Sequence, residues 1–171
     1  MANEQPDYKV IKKDNEFEIR QYTNFLTATV ETEGGRDEAI STGFRILFKY
    51  ISGENKNKES ISMTVPVMQK SLGDKNWNIS FVVPKKFDSK NVPQPNNQNV
   101  KINNNPDFKA VVITFSGLFS NDNIKENEIK IRNYIKANNL RIEEPPIYAG
   151  YNAPWTIWFL KRNEVLFKLI N

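Results

Sequence analysis

The clearest periodic pattern in the chain lies at residues 36–51. Ile40, Gly43, Phe44, Leu47, Phe48 and Ile51 follow the i, i+3, i+4, i+7, i+8, i+11 series of one helical face, which predicts an amphipathic helix. Asp37 and Glu38 suit its first turn, Lys49 its last, and Gly53 a left-handed stop. A weaker helical pattern runs over 123–138 through Ile124, Ile131, Tyr134 and Ile135, with Asn138-Asn139 as its cap. The other apolar segments read as strands, at 8–11, 17–22, 25–30, 61–68, 77–83, 108–115, 147–151 and 164–170. In 17–22 the apolar residues alternate with charges on the other face. Pro66 needs an edge or a bulge, and Gly73–Asn76 is a turn. The Pro- and Asn-rich stretch 84–106 reads as an irregular connection with a short strand at 100–102.

This order repeats. Strand 25–31 answers to 110–116, helix 36–51 to 123–138, Pro66 to Pro154, and strand 77–83 to 164–170, all at an offset of about 85–88 residues. Two strand–helix–strand–strand halves follow, about 8–83 and 107–171, joined by a linker at about 84–106. Neither half can bury its sheet alone, so the expectation is one α+β domain over 1–171 with a largely antiparallel sheet.

Composition narrows the chemistry. The 171 residues include no Cys, which excludes disulfides, thiolate metal sites and thiol catalysis. They include no His, which removes the commonest general base and the commonest metal and haem ligand. A binding function gains weight accordingly. Lys and Arg number 24 against 20 Asp and Glu, a net charge of +4. The basic residues are interleaved with acids rather than gathered into a phosphate track, so no nucleic-acid partner is expected. No apolar run reaches the ~18–20 residues that span a bilayer. The polar N-terminus is unlike a signal peptide. As written, the chain is expected in the cytoplasm; removal of a leader peptide would make it exported or periplasmic.

Two segments carry the most specific pattern. One is Ser62-Met-Thr-Val-Pro-Val67. The other is Gly150-Tyr-Asn-Ala-Pro-Trp-Thr-Ile-Trp-Phe-Leu160, followed by Lys161-Arg-Asn-Glu164. With the strand Phe-Glu-Ile-Arg-Gln-Tyr22 and the helix ending Lys49-Tyr50, they resemble, in order from about Tyr8 to Ile170, the SOUL/haem-binding protein family. That resemblance implies two related halves forming a distorted, mainly antiparallel β-barrel flanked by two helices. It implies reversible, non-enzymatic binding of haem or another tetrapyrrole in an apolar groove between the first helix and the 151–160 segment.

Carried over by position, Ile40, Phe44 and Phe48 would form one wall of that groove, and Tyr151, Trp155, Ile157 and Trp158 the other. Lys49, Lys161 and Arg162 are propionate partners by charge. A porphyrin is a flat apolar plate with two carboxylates on one edge, and it asks for such walls and such a rim. Without His or Cys, any axial ligand falls to Met63, Met68, a Tyr phenolate, a Lys amine or water. No metal-binding cluster and no catalytic set is assigned, and no protein partner is named by the residues. The bland reading of the helical stripe is core packing, and Met63 and Met68 read as strand core. The fold is also similar to bacterial effector-binding domains. The alternative is therefore a binder or hydrolase of another small apolar or cationic molecule, with Glu164 beside Tyr151 or Tyr148. Against it stands an Arg162–Glu164 knot that is purely structural.

Overall fold

In chain order the elements are β1 (Tyr8–Asp14), β2 (Phe17–Tyr22), β3 (Phe25–Glu33), α1 (Arg36–Ile51), β4 (Val67–Gly73), β5 (Asn76–Val82), β6 (Val100–Asn105), β7 (Phe108–Phe115), α2 (Asn121–Ala137), β8 (Ile147–Gly150) and β9 (Asn163–Lys168). This computed structural model describes residues 3–171; Met1 and Ala2, the start of the polar N-terminal stretch, lie outside them. The elements fall into two compact units. One holds Asn24–Pro106 with the N-terminal stretch up to Pro6, and the other holds Asp7–Thr23 with Asp107–Asn171. Each is an α+β unit with every strand pair antiparallel, as the pattern of hairpins and helical crossovers predicts. No helix among the described residues is long and apolar enough to cross a membrane.

In the first unit β4, β5, β3 and β6 lie side by side, and α1 packs on one face of them. Leu47, Tyr50 and Ile51 of the helix meet Ala28 and Val30 of β3, Ile79 and Phe81 of β5, and Val100 of β6. Each such Leu, Ile or Phe stabilises the fold by about 1.5–3 kcal/mol relative to exposure. The helix sits close because Gly43 has no side chain. A Cβ there would lie 2.6 Å from Ile79 Cγ1. The helix ends as its sequence requires. Glu54 N–H donates to Lys49 O and Gly53 N–H to Tyr50 O, and Gly53 takes φ +115°, the left-handed geometry that suits glycine.

In the second unit β1, β2, β7, β9 and β8 lie side by side. Ile124, Ile131 and Ile135 of α2 cover Val111 and Ile113 of β7 with Val165 and Phe167 of β9. Ser120 caps α2 by accepting from Asn123 N–H. The repeat is visible in topology: β3-α1-β4-β5 and β7-α2-β8-β9 pair in the same order. The β1–β2 hairpin, which the sequence reading counts within the first half of about 8–83, pairs onto β7 and belongs to the second unit.

Two details differ from the sequence reading. The segment 61–66 is not a strand, and β4 begins at Val67. Pro66 has no N–H for a ladder, and Thr64 uses its hydroxyl to bond Val82 O instead. Pro66 stands directly before β4, whereas Pro154 follows β8. The prolines that precede β8 are Pro145 and Pro146, so topology matches Pro66 to these.

Candidate functional site

The predicted apolar stripe of α1 splits into two rows. Ala39, Gly43 and Leu47 are buried and face the sheet. Ile40, Phe44 and Phe48 form the adjacent row, turned from it by about 100°, the angle of one helical residue. Ile40 is half-buried against the core, but Phe44 is 39% exposed and Phe48 50%. The Phe44 ring rests edge-on against Phe81 at 5.2 Å, and Phe48 lies nearly parallel to Phe44 at 6.0 Å between centroids. Core packing therefore accounts for the first row and leaves two phenyl rings to solvent. Lys49 follows Phe48 and turns away to line a cavity of about 240 Å³ with Thr42, Arg45, Ile46, Tyr50, Glu54 and Asn97.

In the second unit, 151–162 forms a loop closed by a short 3-10 turn at Trp158–Leu160. Trp155 is 87% exposed, and Ile157, Trp158, Phe159 and Leu160 are exposed as well. Trp158 and Phe159 meet edge to face at 5.5 Å. Lys161 Nζ donates to Pro154 O at 3.2 Å. Tyr151 and Arg162 belong elsewhere. The Arg162 guanidinium lies 3.8 Å from the centre of the Tyr151 ring, and both groups turn to Glu164.

Glu164 is fully buried at the start of β9 and organises a polar cluster. Arg20 of β2 reaches it as a fork, Nη2 to Oε1 at 2.8 Å and Nη1 to Oε2 at 3.0 Å. Arg162 donates from Nε and Nη2 to Oε1 at 3.1 and 2.9 Å. The Tyr151 hydroxyl donates to Oε2 at 2.9 Å and the Thr114 hydroxyl to Oε1 at 3.2 Å. Arg20 also bonds Glu18 at 2.7 Å and Tyr22 at 2.9 Å, and it stacks 4.3 Å from the Tyr8 ring. Two cations thus meet two carboxylates. The strands explain how. Glu18, Arg20 and Tyr22 alternate onto one face of β2, opposite Val112, Ala110 and Phe108 of β7. That is the face α2 does not cover.

Six donors converge on a carboxylate that offers about four lone-pair positions. Burial alone pushes the Glu164 carboxyl up, but the hydrogen bonds and charge of Arg20, then of Arg162, outweigh it and hold it below its ordinary value. Burial and the Glu164 charge push the Tyr151 phenol above its usual range, and Tyr22 shifts the same way. Near neutrality Glu164 is therefore an anion whose acceptor positions are taken, and Tyr151 a protonated phenol. Neither exchanges a proton near neutrality, so the pair fits a structural knot rather than a general acid and base. Tyr148, the other suspected partner, donates to Glu128 at 2.7 Å instead. Among the described residues no cluster of three or more acidic, His or Cys side chains could hold a metal ion.

The sequence reading missed Arg20, the principal partner of Glu164. The available signal was its strand. Charges that alternate with Phe17 and Ile19 mark one face, and the structure buries that face rather than exposing it.

Comparison with known proteins places this architecture. The C-terminal domain of EcmrR superposes with a TM-score of 0.71 at 10% identity, covering 96% of this chain and 98% of that one. A hydrolase from Listeria innocua gives 0.60 at 12% identity, with 94% of each chain covered. At such identities the likeness is one of fold. Sequence relatives are more specific. Heme-binding protein 1 of Mus musculus is 28% identical over 167 residues, spanning 90% of this chain and 84% of the relative. Its counterpart from Sus scrofa is 26% identical over 166 residues, with the same coverage. The profile of the SOUL heme-binding protein family matches residues 3–168, and the chain belongs to that family.

Proposed function

We propose that this protein binds haem or a related tetrapyrrole reversibly and without catalysis, using exposed apolar side chains in place of an imidazole or thiolate ligand. The observation that carries the reading is the Phe44–Phe48 pair, held open to solvent beside a helix face that is otherwise buried. Membership of a haem-binding family and the names of the relatives support it.

The residues present fit such a group in part. Ile40, Phe44 and Phe48 offer an apolar row on one element. Trp155, Ile157 and Trp158 offer aromatic and aliphatic surface on another, a second candidate surface in its own right. Lys161 is the best cation for a propionate, since among the described residues its ammonium bonds only the Pro154 carbonyl. Lys49 points around the helix from Phe48, and Arg162 is engaged by Glu164 and Tyr8, so both contribute less. The bound group would supply its own iron and colour. This chain would supply enclosure and charge, and the ligation would be weak or absent.

Titrating the protein with hemin tests this. A saturable 1:1 absorbance change is expected. The Phe44→Ala/Phe48→Ala variant should bind roughly thirtyfold more weakly, since each phenyl forfeits on the order of 1 kcal/mol of new burial. Trp155→Ala/Trp158→Ala measures the second surface separately. Absence of saturation, or unchanged affinity in both variants, overturns the proposal.

A further inference from the structure

The loop 155–160 has a neighbour of the same character. Gly117 N–H donates to Trp158 O at 2.9 Å, which binds the 116–119 loop to it and brings Leu118, 60% exposed, beside the aromatic tip. Several backbone groups of both loops already have protein partners. Asn123 Nδ2 donates to Ser116 O at 3.0 Å and Leu118 O at 2.8 Å, and Asn163 Nδ2 to Gly117 O at 2.9 Å. Thr156 N–H bonds Ala153 O, and Leu160 N–H bonds Ile157 O. The charges are equally one-sided. No charged residue lies between Phe115 and Asn121, and between Gly150 and Asn163 the only ones are Lys161 and Arg162.

We propose that these two loop tips seat the protein on an anionic lipid surface, with Trp155, Phe159, Leu160 and Leu118 entering the headgroup–acyl boundary and Lys161 facing the headgroups. Backbone groups that already have partners lose little when water is removed. Tryptophan prefers the membrane interface, and such peripheral binding combines apolar burial with attraction to anionic lipid. The absence of acidic side chains from both tips, together with a net charge of +4, matches an anionic bilayer. This inference does not rest on the haem reading, which makes no use of Leu118, Phe159 or Leu160.

Co-sedimentation with phosphatidylcholine vesicles, with and without one quarter phosphatidylserine, tests it. The protein should pellet with the anionic vesicles, and its tryptophan emission should shift to the blue. The Leu118→Ser/Phe159→Ser/Leu160→Ser variant should partition at least about tenfold more weakly, with an unchanged thermal melt and an unchanged hemin titration. Should the triple variant not fold, Leu118→Ser alone should lower partitioning about threefold. Protein that stays in the supernatant, or a variant that binds as the parent does, overturns the proposal. So does a lipid-free dimer that the same substitutions abolish, because the tips would then belong to a second copy of this chain.

Discussion

The two helices cover their sheets in the same way and present opposite outer surfaces. On α2 the outward face is laced with the pairs Lys130–Glu126 and Arg132–Glu128, each four residues apart. On α1 it carries Phe44 and Phe48. The helix-free faces of the sheets differ too. In the first unit this face holds Thr29, whose hydroxyl pairs with Ser80 at 2.7 Å, and its charges, Glu31 and Lys101 among them, are exposed. In the second it holds two arginines and two carboxylates around Glu164. One chain plan has thus been given to solvent-exposed apolar surface in one unit and to buried charge in the other. Stability and function should separate along that line.

The largest effect is expected where charge is buried. Glu164→Ala takes the buried carboxylate from Arg20 and Arg162, leaving Arg20 its bond to Glu18, and should cost about 3–5 kcal/mol, read from denaturant melts. A loss under 1 kcal/mol would erase the contrast between the units. Acid should find the same weak point. A carboxyl held below its ordinary 4.5 binds protons less readily folded than unfolded. Its contribution is complete above that value and is lost as the pH falls through the depressed one. Glu144, held down chiefly by its bond to Arg132, adds to this slope. Glu164→Gln should flatten the fall of melting temperature below pH 4.5, and an unchanged slope would refute the assignment.

In the first unit the sensitive point is a close approach. Gly43→Ala drives a methyl into Ile79 and should cost about 1–3 kcal/mol, less in an Ile79→Ala background. The smallest effect sharpens the comparison most. Phe44→Ser/Phe48→Ser should change stability by under about 1 kcal/mol, although the rings are large. A greater loss in thermal melts would return them to the core.

Much of the fold was legible because local patterns decide it. The bounds of α1, β2 and β7 follow from apolar spacing and from breaks at Gly53 and Gly117. Less legible was the split of the α1 stripe, since a row at i, i+4, i+8 does not say which neighbour the sheet covers. Arg20 was harder still. Its partner lies 144 residues away, and an arginine alternating with Ile and Phe looks the same whether its face meets water or a buried carboxylate. The start of β4 turned on a single missing N–H at Pro66.

The alternation on β2 has a consequence for assembly of the sheet. Sliding that strand by one position along its neighbour would carry Glu18 and Arg20 to the side where Ile124, Ile131 and Ile135 pack, and bring Phe17 and Ile19 against Glu164. Apolar contact alone discriminates weakly between such alignments, because both sides of the strand hold bulky groups. Misplaced charge does not. The ion cluster works as a key cut into the strand, and only one alignment turns.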